Sequence, residues 1–130
     1  MVINIGKFEF NNISITPLKV KHGELDVFGY KIKNMAYITD CSYIPKETFK
    51  KIKNIDLLII DALRFEEHPT HMNLEEALEV VKKIKPKKTF FTHISHEMEH
   101  EKTNKMLPNN IELAYDGLNL EITKKEVIKN

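Results

Sequence analysis

The chain has 130 residues, of which 42% are hydrophobic and 30% are charged, so it has the size and composition of one ordinary globular domain. Its 20 basic and 19 acidic residues leave a net charge of +1, which gives no electrostatic reason to expect binding to DNA. The single cysteine, Cys41, excludes an internal disulfide and fits a reducing cytoplasm. No apolar run approaches the ~20 residues of a membrane-spanning helix, and the chain opens without a signal-peptide pattern. The sequence therefore predicts a cytoplasmic protein with no membrane partner.

The first forty residues have the alternating polarity of paired strands. Residues 8–20 alternate around two asparagines, which predicts a β-hairpin. A turn at Gly23 follows. A second strand pair is predicted over residues 26–32 and 35–39, and it ends at Asp40.

From residue 45 onward the hydrophobic period changes to that of helices. Pro45 starts a short predicted helix over residues 45–53. The apolar run at 56–61 is bounded by acids and predicts a strand that is buried on both faces. A second helix is predicted over residues 73–85, because Asn73 caps it, acids fill its first turn and lysines fill its last.

The last third of the chain contains the strand on which the site depends. Residues 88–92 are β-branched and aromatic, and they run into a loop with three histidines. A short helix ending before Pro108 and two strands over 111–114 and 118–122 follow, and the remaining tail is expected to be solvated. The element order predicts one α/β domain over residues 1–130, with a mixed β-sheet and its helices on one face.

Four potential metal ligands lie on four different loops, each beside a predicted strand end or helix start: His22, Asp40, His71 and His93. Loops at the carboxyl ends of strands line the crevice of an α/β sheet, so these side chains are expected at one edge. Three imidazoles and a carboxylate suit Zn²⁺ or a similar divalent ion. Each residue taken singly is better explained as an ordinary polar loop residue, whereas four of them at the same sheet edge favour a metal site.

Two other patterns allow competing interpretations. His96 to His100 match His-Glu-x-x-His, the signature of zinc peptidases, but the surrounding segment lacks the apolar face that would seat a catalytic helix. His68 with His71 could form an isolated two-histidine site, for which the spacing is a weak signal. Cys41 is a candidate soft ligand, but a small buried residue is the favoured interpretation.

Two acids at strand ends, Asp61 and Asp116, could orient a ligand histidine. More often, acids in such positions serve turns. Both roles stay open.

Several segments together resemble the carboxyl-terminal half of metallo-β-lactamase-fold hydrolases, and specifically the branch of PhnP-like cyclic phosphodiesterases. The resemblance covers about residues 8–122, and the order of its motifs is specific. The segments are VKHG (20–23), YITDCS (37–42), DALRFEEHPTHMNLEEAL (61–78), FTHISHEMEHEKTN (91–104) and IELAYDGL (111–118).

The resemblance implies a fold and a set of roles. The fold would be half of an αββα sandwich, with a mixed sheet and helices on one face. His22 would bind a first metal ion, Asp40 would bridge two ions, and His93 would bind the second. His71 would lie beside the substrate as a catalytic residue, together with Asp40. The implied cofactors are Zn²⁺ or Mn²⁺, with two ions in a complete site, and the implied substrate is a small phosphodiester such as a cyclic phosphate or nucleotide.

The sequence departs from that family in one respect. Family members carry an earlier His-x-His-x-Asp-His motif that completes both metal sites, whereas no histidine precedes His22 in this chain. We therefore expect a fragment, a split-gene product or a half-domain that depends on a homo-oligomer or on a partner chain supplying that motif. The alternative is a non-catalytic half-domain that only pairs with a partner.

Overall fold

The computed structural model describes residues 6–130, in which strands and helices follow the predicted order as far as residue 113. The strands are β1 (Phe8–Phe10), β2 (Ile13–His22), β3 (Leu25–Ile32), β4 (Met35–Ile38), β5 (Leu57–Asp61), β6 (Lys88–Thr92), β7 (Ile111–Leu113), β8 (Leu120–Ile122) and β9 (Val127–Lys129). The helices are α1 (Lys46–Ile52), α2 (Leu74–Ile84) and α3 (His100–Met106).

The first seven strands form one mixed sheet in sequence order, as predicted. β1 to β4 pair antiparallel, and β4 to β7 pair parallel. The first hairpin turns at Asn11 and Asn12, whose φ angles are 49° and 66°. Two successive left-handed residues suit the right-handed twist of a hairpin, and asparagine tolerates that conformation better than most residues.

The three helices lie on one face of the sheet, because each connects two adjacent parallel strands. Such crossovers are right-handed, so successive crossovers in the same direction put their helices on the same side. A single core cluster confirms the arrangement: it joins Ile52 of α1 and Ile84 of α2 to Ile38, Ile60 and Phe91 of the sheet. The predicted fold class is therefore confirmed.

Asn73 caps α2 as the sequence predicts. Its side chain accepts a hydrogen bond from the Glu76 backbone N–H at 2.8 Å, and the Glu76 carboxylate accepts one from the Asn73 N–H at 3.0 Å. This reciprocal capping box satisfies two backbone donors that a helix start otherwise leaves without partners. It fixes the N-cap of α2 two residues after His71.

The opposite face of the sheet carries a row of apolar side chains without a covering layer of helices. Strand register aligns Pro17, Tyr30, Tyr37, Ile59 and Phe90 across five neighbouring strands. Tyr37 is 44% exposed on this side, whereas Pro17 and Phe90 are buried, so the exposed part of the row lies around Tyr30 and Tyr37. We call this surface the open face; it also includes Phe8, Phe10, Ile13 and Ile15, which the register of β1 and β2 places on the same side.

The carboxyl-terminal strands depart from the prediction. β7 joins the sheet, but residues 118–122 do not extend it, and β8 pairs with β9 as a separate hairpin. The tail, expected to be solvated, supplies β9. Lys129 joins this local hairpin to β7 through an ion pair with Glu112 at 2.8 Å.

Candidate metal centre

The four predicted ligand residues lie at the carboxyl edge of the central strands. His22 ends β2, Asp40 follows β4, His71 lies between β5 and α2, and His93 follows β6. Asp40 and His93 adopt left-handed backbone conformations, with φ angles of 53° and 59°. Such angles are uncommon for residues other than glycine and cluster at functional sites, where the surrounding structure holds them in place.

Backbone hydrogen bonds connect the loops that carry these residues. The Met72 N–H donates to the Cys41 carbonyl at 3.0 Å, which joins the His71 loop to the Asp40 loop. The Ser95 N–H donates to the Leu63 carbonyl at 2.8 Å, which joins the His93 loop to the segment after β5. The loops are therefore held in position by the backbone independently of any ligand.

Side-chain packing fixes the His22 loop as well. The Gly23 N–H donates to the Ser42 hydroxyl at 3.0 Å, and Gly23 itself has a φ of 63°. A Cβ atom at Gly23 would come within 3.0 Å of a Thr70 methyl carbon, so this turn packs directly against the loop of His71. Sequence reasoning did not identify Ser42 or Thr70, which have no distinguishing pattern.

The four side chains converge on a common space. The Nε2 atoms of His22 and His71 lie 3.4 Å apart, and the His93 Nε2 lies 3.6 Å from the Asp40 Oδ1. The His71 and His93 rings stack with centroids 4.7 Å apart. Ligand atoms of His22, Asp40 and His71 all lie within 4.8 Å of one another, so His71 belongs to this compact set of donors. The predicted ligand His93 is not a member of that set and adjoins it through Asp40.

The distances fit a tetrahedral cation. Bond lengths of about 2.0–2.2 Å around Zn²⁺ place neighbouring donor atoms roughly 3.3–3.6 Å apart. The His22–His71 separation of 3.4 Å falls in this range, and the His93–Asp40 separation of 3.6 Å lies at its upper end. Burial, and then the nearby His93 and His22 rings, lower the pKa of His71, which keeps its imidazole neutral and able to bind a cation.

Asp61 lies behind His71 and is fully buried. Its Oδ2 is 3.6 Å from the His71 Nδ1, and neither atom has a hydrogen-bond partner among residues 6–130. The other oxygen accepts a hydrogen bond from the Cys41 N–H at 3.2 Å. Burial raises the pKa of Asp61 to about 7, although backbone N–H groups, that of Cys41 first, oppose the shift. A proton shared by Asp61 and His71 would satisfy both buried atoms and fix the histidine tautomer.

The peptidase pattern is not part of this cluster. His96 and Glu97 lie in a turn and helix α3 begins only at His100, so the two histidines do not share a helix face as the peptidase signature requires. His68 adjoins the cluster, because its ring centroid lies 5.1 Å from that of His71, and its Nδ1 accepts a hydrogen bond from the Thr70 N–H at 3.2 Å. Burial raises the pKa of Cys41 to about 12, so its thiol stays protonated, as a small buried residue does.

A cavity of about 260 Å³ adjoins His93 at the ends of β6 and β7. Tyr115 and Asp116 line it, and the Tyr115 ring lies edge-on to His100 with centroids 6.0 Å apart. Asp116 therefore faces this cavity, whereas Asp61 contacts a site histidine. The sequence did not single out Tyr115, although its position directly after β7 was a signal available for finding it.

Comparison with known proteins agrees with this geometry. A family profile described as "Beta-lactamase superfamily domain" matches residues 2–94. The chain belongs to the beta-lactamase superfamily. Its fold is the metallo-β-lactamase fold, as the resemblance implied.

Three relatives illustrate the similarity. The chain is 41% identical to a crystallised diphosphatase of the PhnP family, with a TM-score of 0.87 over 89% of this chain and 46% of that one. It is 34% identical over 122 residues to an octanoyltransferase of Porphyromonas gingivalis (strain ATCC BAA-308 / W83), which covers 92% of this chain and 25% of the relative. Zn²⁺-bound PqqB from Methylobacterium extorquens shares the fold, with 19% identity and a TM-score of 0.69 over 89% of this chain and 53% of that one.

This superfamily member spans about a quarter of the curated relative and just under half of the diphosphatase. Within the part of the chain that the structure describes, no helix is both long and apolar enough to cross a bilayer.

Proposed function

We propose that this chain forms the carboxyl-terminal part of a metal-dependent active site that hydrolyses a phosphodiester. The observation that carries the proposal is the convergence of three imidazoles and one carboxylate at the edge of a parallel sheet, on loops connected by backbone hydrogen bonds. Imidazole and carboxylate donors in this ratio suit Zn²⁺ or Mn²⁺.

The proposed roles follow from where each atom lies. Asp40 is the most exposed member of the set, and its Oδ1 lies between His93 at 3.6 Å and His71 at 3.8 Å. That position suits a carboxylate shared between two ions, with His22 and His93 each holding one of them. When bound, the ions would supply a water of lowered pKa and neutralise charge on the phosphoryl oxygens.

His71 has the position of a residue that serves the substrate. Its neutral imidazole faces the cluster through Nε2, while Nδ1 faces the buried Asp61 at 3.6 Å. A protonated Asp61 would donate to the inner nitrogen, which leaves the ring proton of the neutral imidazole on the outer nitrogen. The outer N–H can then donate a hydrogen bond to a phosphoryl or leaving-group oxygen. Asp61 is in this sense a positioning residue, since it acts through His71.

A diphosphate is a second candidate substrate. The similar PhnP-family structure, at 41% identity, is described as a diphosphatase. Both substrates place charged, non-bridging oxygens at the bond that breaks, so the same cationic site would serve either.

The proposed site needs donors from outside this chain. Structural zinc sites use four ligands and catalytic sites about three, whereas His22, Asp40 and His93 provide only one histidine per ion and one shared carboxylate. We propose that a partner chain carrying His-x-His-x-Asp-His packs on the open face and completes the site. A homo-oligomer would cover the same apolar surface, but it would not add that motif.

Reconstitution tests the proposal. The isolated chain is expected to hydrolyse bis(p-nitrophenyl) phosphate, a 2′,3′-cyclic nucleotide or a diphosphate negligibly. With a chain that carries His-x-His-x-Asp-His and with Zn²⁺ or Mn²⁺, hydrolysis should appear, measured as p-nitrophenol from the first substrate, a nucleoside monophosphate from the second or a monophosphate product from the third. Asp40→Ala should abolish it because both ions lose a ligand.

Variants of the metal centre and of the peptidase motif identify the results that would contradict the proposal. Glu97→Ala removes the acid of the competing peptidase motif, so it should leave the reconstituted activity unchanged. Activity of the lone chain that survives Asp40→Ala but is lost in Glu97→Ala would overturn the proposal. Stable pairing without hydrolysis of any of these substrates would favour the non-catalytic half-domain.

A further inference from the structure

A long groove runs between α1 and the start of α2, on the helix-bearing side of the sheet. It consists of two adjoining cavities of about 450 and 440 Å³, which share Tyr43, Ile44, Phe49 and Lys83. We call it the α1–α2 groove. The buried side chains of Ile44, Met72 and Val80 line it together with the two aromatic rings, so its floor is apolar.

One end of the groove is positively charged. Lys46, Lys50 and Lys53 line this end, and no carboxylate lines the same cavity. Lys50 pairs with Glu47 at 3.3 Å, whereas no ion pair involves Lys46 or Lys53 among residues 6–130. Lys83, in the middle, lies 5.5 Å from the Phe49 ring centroid, so its charge also remains available.

The other end is negatively charged. Glu67, Glu75, Glu76 and Glu79 line it. Glu76 is engaged in the capping box and Glu79 pairs with Lys82 at 3.0 Å. Glu67 and Glu75 form no ion pair within the described part of the chain, so this end repels anions.

We propose that the α1–α2 groove docks a short segment of a partner protein that is apolar in its middle, acidic at one end and basic at the other. The glutamate end disfavours a polyanion such as a nucleic acid, and the lysine end disfavours a polycation. An apolar groove with opposite charges at its two ends complements an amphipathic peptide, in which apolar side chains supply affinity and the end charges supply specificity. This proposal does not depend on the hydrolytic function.

Two synthetic peptides of identical composition test the charge arrangement. One carries glutamates at one end, leucine and phenylalanine in the middle, and lysines at the other end. The second alternates the same charges along its length, so that neither end has a net charge. Fluorescence anisotropy at low salt should show the segregated peptide binding about tenfold more tightly, and the difference should shrink as salt screens the end charges.

Variants of the groove distinguish this charge preference from nonspecific apolar binding. Lys46→Glu with Lys53→Glu cancels the positive charge of the lysine end, where Lys50 and Lys83 remain, and should remove the preference for the segregated peptide. Made separately, Glu67→Lys with Glu75→Lys cancels the negative charge of the glutamate end, where Glu76 and Glu79 remain, and should weaken the preference as well. The matched control, Lys105→Glu with Lys125→Glu, changes the same charge at exposed positions outside the groove and should keep the preference.

The proposal is overturned if neither peptide binds saturably or if both bind equally. It is also overturned if Lys46→Glu with Lys53→Glu has no effect on the preference for the segregated peptide. Nuclear magnetic resonance locates the contact. Shifts at Tyr43 and Phe49 support the groove, whereas shifts confined to Phe10 and Tyr37 would assign the peptide to the open face and contradict the proposal.

Discussion

At the scale of single residues, Asp61 is the side chain whose environment departs most from what its type prefers. A carboxylate with no exposure is disfavoured when ionised, and its pKa is raised to about 7 as a result. Its Oδ2 has no hydrogen-bond partner among residues 6–130, and the nearest basic atom is the His71 Nδ1 at 3.6 Å. Asp61 therefore lowers stability when ionised, while it supports the histidine beside it.

This environment predicts a pH dependence of stability. Below the ordinary pKa of 3.8, Asp61 is protonated in both the folded and unfolded states and has no effect. Between pH 3.8 and about 7, the unfolded chain releases the proton while the folded chain keeps it, so the free energy of unfolding falls as pH rises. The slope for one proton is at most about 1.4 kcal/mol per pH unit, and it ends above the folded pKa.

Asp61→Asn isolates this contribution. Asparagine keeps an oxygen for the Cys41 N–H but cannot ionise, so urea unfolding in EDTA should show a flatter pH profile between pH 4 and 7 than in the unaltered protein. The variant should gain relative stability as pH rises through that window. Parallel profiles for the two proteins would show that Asp61 does not titrate in the folded state as described.

His22, Asp40 and His93 were predictable because each has a metal-ligand side chain at the end of a strongly patterned strand. The burial of Asp61 could not be predicted, because a strand-ending acid usually lies in an exposed turn. Its contact with His71 depends on how the loop of residues 62–73 folds back. His71 shows the same limit. Its loop position could be predicted from the cap at Asn73, but its proximity to His22 could not.

At the scale of elements, the start of α2 connects local sequence to the site. The capping box at Asn73 and Glu76 fixes where α2 begins, and the preceding residue, Met72, donates its N–H to the Cys41 carbonyl. The helix start, the His71 loop and the Asp40 loop are therefore one connected unit. A change in the cap should reach the metal centre through that unit.

Asn73→Ala tests this connection. Loss of the side-chain acceptor should lower the free energy of unfolding by about 1 kcal/mol, as measured by urea denaturation. Asn73→Asp retains an acceptor for the Glu76 N–H and should stay close to the unaltered protein. Equal destabilisation by both substitutions would show that packing around this buried side chain, rather than the cap, is responsible.

Elements with strong local signals were predictable, and the exceptions lie where local signals are weak. Helices α1 and α2 and strands β2 to β6 follow from period, caps and turn residues. Strand β9 does not, because residues 127–129 are too short a segment to give a strand pattern, although they pair with the neighbouring strand β8.

At the scale of the whole molecule, the sheet is covered by helices on one side only. The open face carries exposed aromatic side chains in register, with Phe10 65% exposed and Tyr30 39% exposed. Soluble monomers rarely expose large contiguous apolar surfaces, and such surfaces usually mark interfaces. This surface and the incomplete ligand set lead to the same expectation of a partner.

In the absence of another chain, the protein should associate with itself through this face. Sedimentation velocity should show species larger than a monomer, and Phe10→Lys with Tyr37→Lys should shift the population to monomer. Phe65→Lys, at an exposed apolar residue in the loop after β5, is the matched control and should not shift the population to monomer. If the unaltered protein and both kinds of variant are monomers at all concentrations, the open face is stable in water.

The most direct test of the metal centre is a calorimetric titration of the isolated chain with Zn²⁺. We predict weak but measurable binding, because two imidazoles and a carboxylate already attract the ion, and a loss of about tenfold or more in affinity for His22→Ala, Asp40→Ala or His93→Ala. His96→Ala and His100→Ala lie outside the cluster and should bind as the unaltered protein does. Unchanged affinity in the first three variants, with affinity lost in the last two, would contradict the account and place the metal at the His-Glu-x-x-His segment.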